Sequence, residues 1–229
     1  MTNTPELTVL MPCLNEENSI HYTITEALEC IKKHNISAEV LIADNGSIDG
    51  SVEIATSLGA RVVNVSEKGY GNALIGGIKA AKGKYIIMGD CDGSYDFSSL
   101  DKFLEKLRDG NALVMGNRFK GGIEKGAMPF SHKYIGVPFL SFLARIRYGC
   151  KIGDFHCGLR GFDREKALEL DLSCGGMEFA TEIIGKFAKS GAKICEIPTI
   201  LRKDLRKGKP HLRSIPDGLR HLRYIFFGK

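Results

Sequence analysis

The chain has 229 residues, 43% hydrophobic and 26% charged with a formal net charge of +5, ample for one large domain that needs no metal or disulfide staple. Its seven cysteines (Cys13, Cys30, Cys91, Cys150, Cys157, Cys174 and Cys195) are odd in number and lack a CxxC pair. That excludes a disulfide frame or a zinc ribbon and reads as reduced thiols in a cytoplasmic protein.

In chain order, the first apolar run is LTVLMPCL (7–14), which ends in CLNEEN. A helical pattern near 17–33 leads to the strand AEVLIAD (38–44) and the turn DNGSIDG. Helices near 50–58 and 70–81 flank the strand ARVVNVS (60–66). The strand KYIIMGD (84–90) then runs into GDCDGS, and a helix near 98–108 precedes ALVMGNR (112–118). Continuous apolar strands separated by helices predict a parallel sheet covered on both faces. Beyond Arg118 come the glycine-rich loop FKGGIEKGAMPF (119–130), an apolar helix within 136–149 and a short strand near 157–162. A helix at 177–190 and a strand at 193–201 follow. The predicted organisation is one domain over 1–200, with a nucleotide-binding half (1–118) and an acceptor half (119–200), and a basic amphipathic segment over 201–229. No run reaches the ~18 apolar residues of a membrane span. No basic region followed by an apolar core opens the chain, so no signal peptide is expected.

Ligands of open α/β sheets sit beyond the carboxyl ends of the strands. Four predicted strand ends carry polar groups there. The most pointed is the fourth: Asp90 and Asp92 alternate with Cys91, so both carboxylates face one side of an extended segment. Held together they repel unless a cation, a proton or a donor lies between them. Asp96 suits capping of the following helix.

The ordered set PCLNEE, ADNGSIDGS, GYGNALIGGIKAAKG, GDCDGSYDF, VMGNRF, DFHCGLRGF and GMEFATEI resembles the family 2 glycosyltransferases of the GT-A fold. Within them it looks most like the polyprenyl-phosphate (dolichol-phosphate) sugar synthases. The resemblance implies an α/β, GT-A type Rossmann-like, mostly parallel sheet flanked by helices, with an acceptor-side second half. It implies an inverting hexose transfer from a UDP- or GDP-linked sugar, with Mg²⁺ or Mn²⁺ held by Asp90 and Asp92. In some relatives a histidine from the region of His211 completes that metal site. Pro12, Leu14 and Glu16 would line base and ribose. Asp44 would accept from a ring N–H of uracil or guanine, with Asn45, Gly46 and Ser47 shaping the turn and Asp90 nearby. Asp49 reads as a helix cap. Gly69 and Gly71 would let backbone approach the ligand, whereas Gly76 and Gly77 read as helix packing.

Arg118, at a strand end, is expected to face the crevice and grip phosphate oxygens. Asp154 matches the family's acceptor-side aspartate: a general base for an alcohol acceptor, a positioning group for a phosphate, which is already anionic. Glu178 and Glu182, at i and i+4, are further acidic candidates. His156 neighbours Asp154, but packing or a surface role is expected. Arg118, Arg206 and Lys209 are candidates for an acceptor phosphate.

Charge is uneven. Residues 201–229 carry nine Lys or Arg against two Asp; the first 200 carry 23 against 25 acids. In SIPDGLRHLRYIFF, Ile215, Leu219, Leu222 and Ile225 share a helical stripe with arginines elsewhere, a pattern that suits a membrane surface or docking on the protein's own core. The expected partners are a nucleotide-sugar donor, a lipid phosphate and a membrane surface, at the inner face of the membrane, with no nucleic acid. Two alternatives stay open: a soluble saccharide or small hydroxyl acceptor, and a non-catalytic nucleotide-sugar binding module. A dehydrogenase is excluded, because GYGNALIGG has Leu74 where G-x-G-x-x-G needs glycine.

Overall fold

The computed structural model describes residues 4–206 and 213–228. The strands are β1 (Leu7–Cys13), β2 (Ala38–Asp44), β3 (Arg61–Asn64), β4 (Tyr85–Met88), β5 (Leu113–Asn117), β6 (Arg160–Asp163) and β7 (Ile194–Pro198). The helices are α1 (Ile20–Lys33), α2 (Ser51–Ser57), α3 (Tyr70–Ala80), α4 (Leu100–Arg108), α5 (Arg118–Gly121), α6 (Val137–Tyr148), α7 (Arg164–Glu169), α8 (Phe179–Lys189) and α9 (Ser214–Phe227). Short α5 and α7 are too brief to leave a helical period in the sequence.

The seven strands form one sheet in the order β3-β2-β1-β4-β6-β5-β7. Leu7 to Met11 of β1 and all of β4 are buried, as central strands covered on both faces must be. Gly77 sits where an added Cβ would meet Leu10 and Ala43, so this glycine lets α3 lie close on the sheet, as expected.

The sheet is not wholly parallel. β6 pairs antiparallel with both β4 and β5, whereas the other pairs are parallel. The reversal places the start of β6, and the loop before it, at the edge where the other strands end. The chain order also reverses between β1 and β4, a topological switch point, where a crevice opens beyond the carboxyl ends. Both features bring the remaining polar segments to one edge.

Candidate active site

At the end of β1 the chain turns through Asn15, whose φ of 57° is left-handed and unusual for a residue with a Cβ. Its side-chain oxygen accepts from the Ile48 N–H at 2.9 Å, and its own N–H donates to Ser47 Oγ at 3.0 Å. The ends of β1 and β2 are thus knitted into one wall, with Pro12 and Leu14 half-buried in it. Buried Asp44 accepts from the Gly46 and Ser47 N–H groups at 2.9 and 3.2 Å, which sets the second turn. Asp49, expected as the cap, lies one residue before the N-cap Gly50 and accepts from Ser51 N–H at the start of α2.

Two expectations need correction here. Asn45 turns away from the crevice: its amide donates to the Val65 and Glu67 carbonyls at 2.9 and 2.8 Å and accepts from Gly69 N–H at 2.8 Å. It holds the loop before α3. Gly71 brings backbone close to the chain itself. Its N–H donates to the Gly175 carbonyl at 2.9 Å, and an added Cβ would lie 2.0 Å from the Cys174 carbonyl oxygen. Gly69, at φ 136°, meets the same loop.

At the end of β4, Asp90 accepts from the Tyr70 hydroxyl at 2.9 Å and Asp92 from Ser94 N–H at 2.9 Å. Burial, then the charge of Asp92, raises the Asp90 carboxyl to about 6. Burial also raises Asp92. Asp96 accepts from Ser98 N–H at 3.1 Å and caps the 3-10 turn at Phe97–Ser99, as expected. The carboxylates therefore favour a cation, and one stands there: Arg206. Its Nε donates to Glu16 Oε2 at 3.2 Å and its Nη2 to Asp92 Oδ2 at 3.3 Å. The oxygen-only carboxylate donors of Asp90 and Asp92 are of the type a hard divalent ion such as Mg²⁺ or Mn²⁺ prefers. Arg206, expected beside an acceptor phosphate, instead bridges Glu16 and Asp92. Lys209 and His211 fall outside the described residues.

On the acceptor side Arg118 is 7% exposed and Asp154 fully buried. Arg118 is held by this carboxylate: its Nε and Nη2 grip Asp154 Oδ2 and Oδ1 at 2.7 and 2.8 Å. The N–H groups of Arg118 and His156 add bonds at 3.2 and 3.3 Å. Glu182 is buried and accepts from Ser173 and Cys174 N–H at 3.0 and 2.8 Å, bracing the loop against Gly71. Glu178 sits at the start of α8 with one buried oxygen lacking a hydrogen-bond partner among the described residues.

Sequence reasoning missed Tyr70, buried Arg160 and the pairing of His156 with His221. The rings of the two histidines meet edge-on with centroids 4.6 Å apart, and His221 Nδ1 bonds Thr181 Oγ1 at 2.8 Å. Arg160 donates to the Cys157 and Ala180 carbonyls at 2.7 and 3.1 Å, beneath the crevice. Only the tyrosine had a local signal, two residues from Asn72 at the start of a helix behind a glycine.

The family model "Glycosyl transferase family 2" matches residues 8–170. The chain is 39% identical over 222 residues to the low-salt glycan biosynthesis hexosyltransferase Agl6 of Haloferax volcanii, covering 96% of this chain and 53% of that protein. It thus spans about half the length of that relative. It is 30% identical to the dolichyl-phosphate hexose transferase of the same organism, covering 93% of this chain and 89% of that one. Among solved structures, glucosyl-3-phosphoglycerate synthase from Mycobacterium tuberculosis, in complex with Mg²⁺ and UDP, superposes with a TM-score of 0.71 at 21% identity. That match covers 96% of this chain and 79% of that one, and shows a shared fold.

Proposed function

This chain belongs to glycosyl transferase family 2, and from that premise we propose that it moves a hexose, with inversion, from a nucleoside diphosphate sugar to a polyprenyl phosphate at a membrane surface. Asp44 and the turn wall bind the base, and Glu16 accepts from the ribose. Asp90 and Asp92 hold Mg²⁺ or Mn²⁺, which supplies neutralisation of the charge on the departing nucleoside diphosphate. Asp154 orients Arg118 as a positive group beside the acceptor. An acceptor phosphate is already an oxyanion and needs no base, which agrees with an Asp154 whose oxygens are both engaged.

One observation carries the lipid acceptor. Ile135, Phe139, Phe142 and Ile146 form an exposed stripe along the π-helical turn His132–Gly136 and α6, at i, i+4, i+7 and i+11. Ile215, Leu219 and Phe226 stand exposed at i, i+4 and i+11 on α9, which packs beside α6. No acid occurs from Phe130 to Tyr148, and the one acid of α9, Asp217, is buried; exposed Arg145, Arg147, Arg220 and Arg223 flank the stripes. Apolar residues rimmed by bases suit the anionic cytoplasmic leaflet. Ser141 of α6 accepts from Phe155 N–H at 3.2 Å, tying this face to the loop of Asp154. Among the described residues no helix is long and apolar enough to cross a membrane.

Labelled sugar from a panel of UDP- and GDP-sugars is expected to pass to short polyprenyl phosphate with Mn²⁺ or Mg²⁺ and not with EDTA. Asp92→Asn should lower transfer at least about a hundredfold. Label in a water-soluble acceptor instead would overturn the lipid assignment. The exposed pair Phe139→Asp and Phe142→Asp should weaken binding to vesicles containing phosphatidylserine about tenfold or more, with unchanged melting. Equal vesicle binding would remove this face from the proposal.

A further inference from the structure

We infer that Arg206 is the resident cation of the donor site: it occupies Glu16 and Asp92 in the free protein and is displaced when a divalent ion and a nucleotide enter. The inference rests on the donor-site reading above.

Arg206 is delivered to the crevice by a strap pinned residue by residue. Leu201 bridges to Tyr95 and Ile123. Arg202 N–H donates to the Ser94 carbonyl at 2.9 Å, and its guanidinium spans Glu26 and Asp96 at 2.8 Å each. Leu205 N–H donates to the Asp92 carbonyl at 2.8 Å. Its side chain lies so close over Gly93 that a Cβ there would sit 2.8 Å from Leu205 Cδ1. The strap therefore runs along the very turn that carries the metal-site carboxylates, and its next residue places a charge between Glu16 and Asp92.

The two carboxylates that Arg206 bridges have separate duties in the donor site: one faces the ribose, the other the metal. A guanidinium bonded to both must release both before either ligand is seated in full. Whichever ligand arrives first bears the cost of moving Arg206, and the second then binds a site already cleared. That is positive coupling between nucleotide and metal, set by one side chain. It leaves the free protein with part of its carboxylate charge offset and a weak affinity for a bare divalent ion.

The test is Mn²⁺ binding without nucleotide, read as loss of the free-ion signal in electron paramagnetic resonance. Arg206→Gln is expected to bind Mn²⁺ about tenfold more tightly than the wild type. Arg206→Lys, which keeps the charge, should stay near the wild type, and Asp92→Asn added to Arg206→Gln should abolish the gain. Melting temperatures of the variants check that each is folded. Unchanged or weaker Mn²⁺ binding by folded Arg206→Gln overturns the inference, and so does an equal gain in Arg206→Lys. Wild-type binding of UDP or GDP assisted by Mn²⁺ is measured in parallel. If that assistance is present while Arg206→Gln gains nothing, only the role of Arg206 falls. If neither protein binds Mn²⁺ with or without nucleotide, the donor-site reading falls and this inference with it.

Discussion

Asp154→Ala is expected to cost roughly 3–5 kcal/mol of stability and to abolish transfer, because it leaves the buried Arg118 guanidinium without its partner. Arg118→Ala should do the same from the other side by stranding a buried carboxylate. The informative variant is the double one, Arg118→Met with Asp154→Leu. Replacing a buried ion pair by apolar groups of similar volume is often neutral for stability. Chemical denaturation should therefore show most of the loss recovered, while transfer stays absent. Recovered transfer in the double variant would mean that the pair is merely structural. The pair also separates the two acceptor chemistries. Were Asp154 a general base, transfer would track its ionisation and Asp154→Asn would fail even with Arg118 in place. As the group that orients Arg118, it tolerates Asn only in part, because the amide oxygen can still receive one of Nε and Nη2. A phosphate acceptor then leaves a measurable residual rate.

The second large effect is acid sensitivity arising from His156 and His221. Burial lowers the His221 imidazole to about 4, with Asp217 opposing and Arg160 adding to the shift. His156 is held well below its usual range by burial, then by His221, Arg118 and Arg160. Both ring nitrogens of His156 are buried without a hydrogen-bond partner among the described residues. In the unfolded chain each would take a proton near 6.5, and in the folded protein neither does. The unfolded state therefore binds more protons between these values, so stability is fully present above about 6.5 and falls as pH drops toward 4. From pH 7 to pH 5 the loss should be about 2 kcal/mol for His221 alone, with His156 adding to it in the same direction. Urea denaturation at both pH values measures it, and the double His→Asn variant should flatten the dependence. An NMR titration placing either imidazole near 6.5 in the folded protein would refute the assignment.

Much of this protein was legible before any coordinates. Apolar runs with polar ends marked β1, β2, β4 and β5, since a central strand must be apolar on both faces. The polar ends located the crevice because parallel strands finish together. Asp90 and Asp92 announced a site for positive charge by their spacing alone. Asp96 was recognisable as a cap, because capping is decided within three residues of the chain.

What stayed hidden depended on contacts between distant segments. Asn45 has the residue type of a ligand-binding turn, yet its amide is consumed by carbonyls about twenty positions away. Gly71 signalled a close approach but not what approaches; the loop at Cys174 to Gly176 does. The direction of β6 left no trace in a four-residue strand, and it is this reversal that carries Asp154 to Arg118. Arg206 meets Glu16 across 190 positions of sequence. The sequence by itself determined the central strands, the longer helices and the residue types at the strand ends, because periodicity and residue type act locally. Which charges meet, and hence which groups are free to work, was decided by strand order and by burial, where each carboxylate takes the nearest available donor.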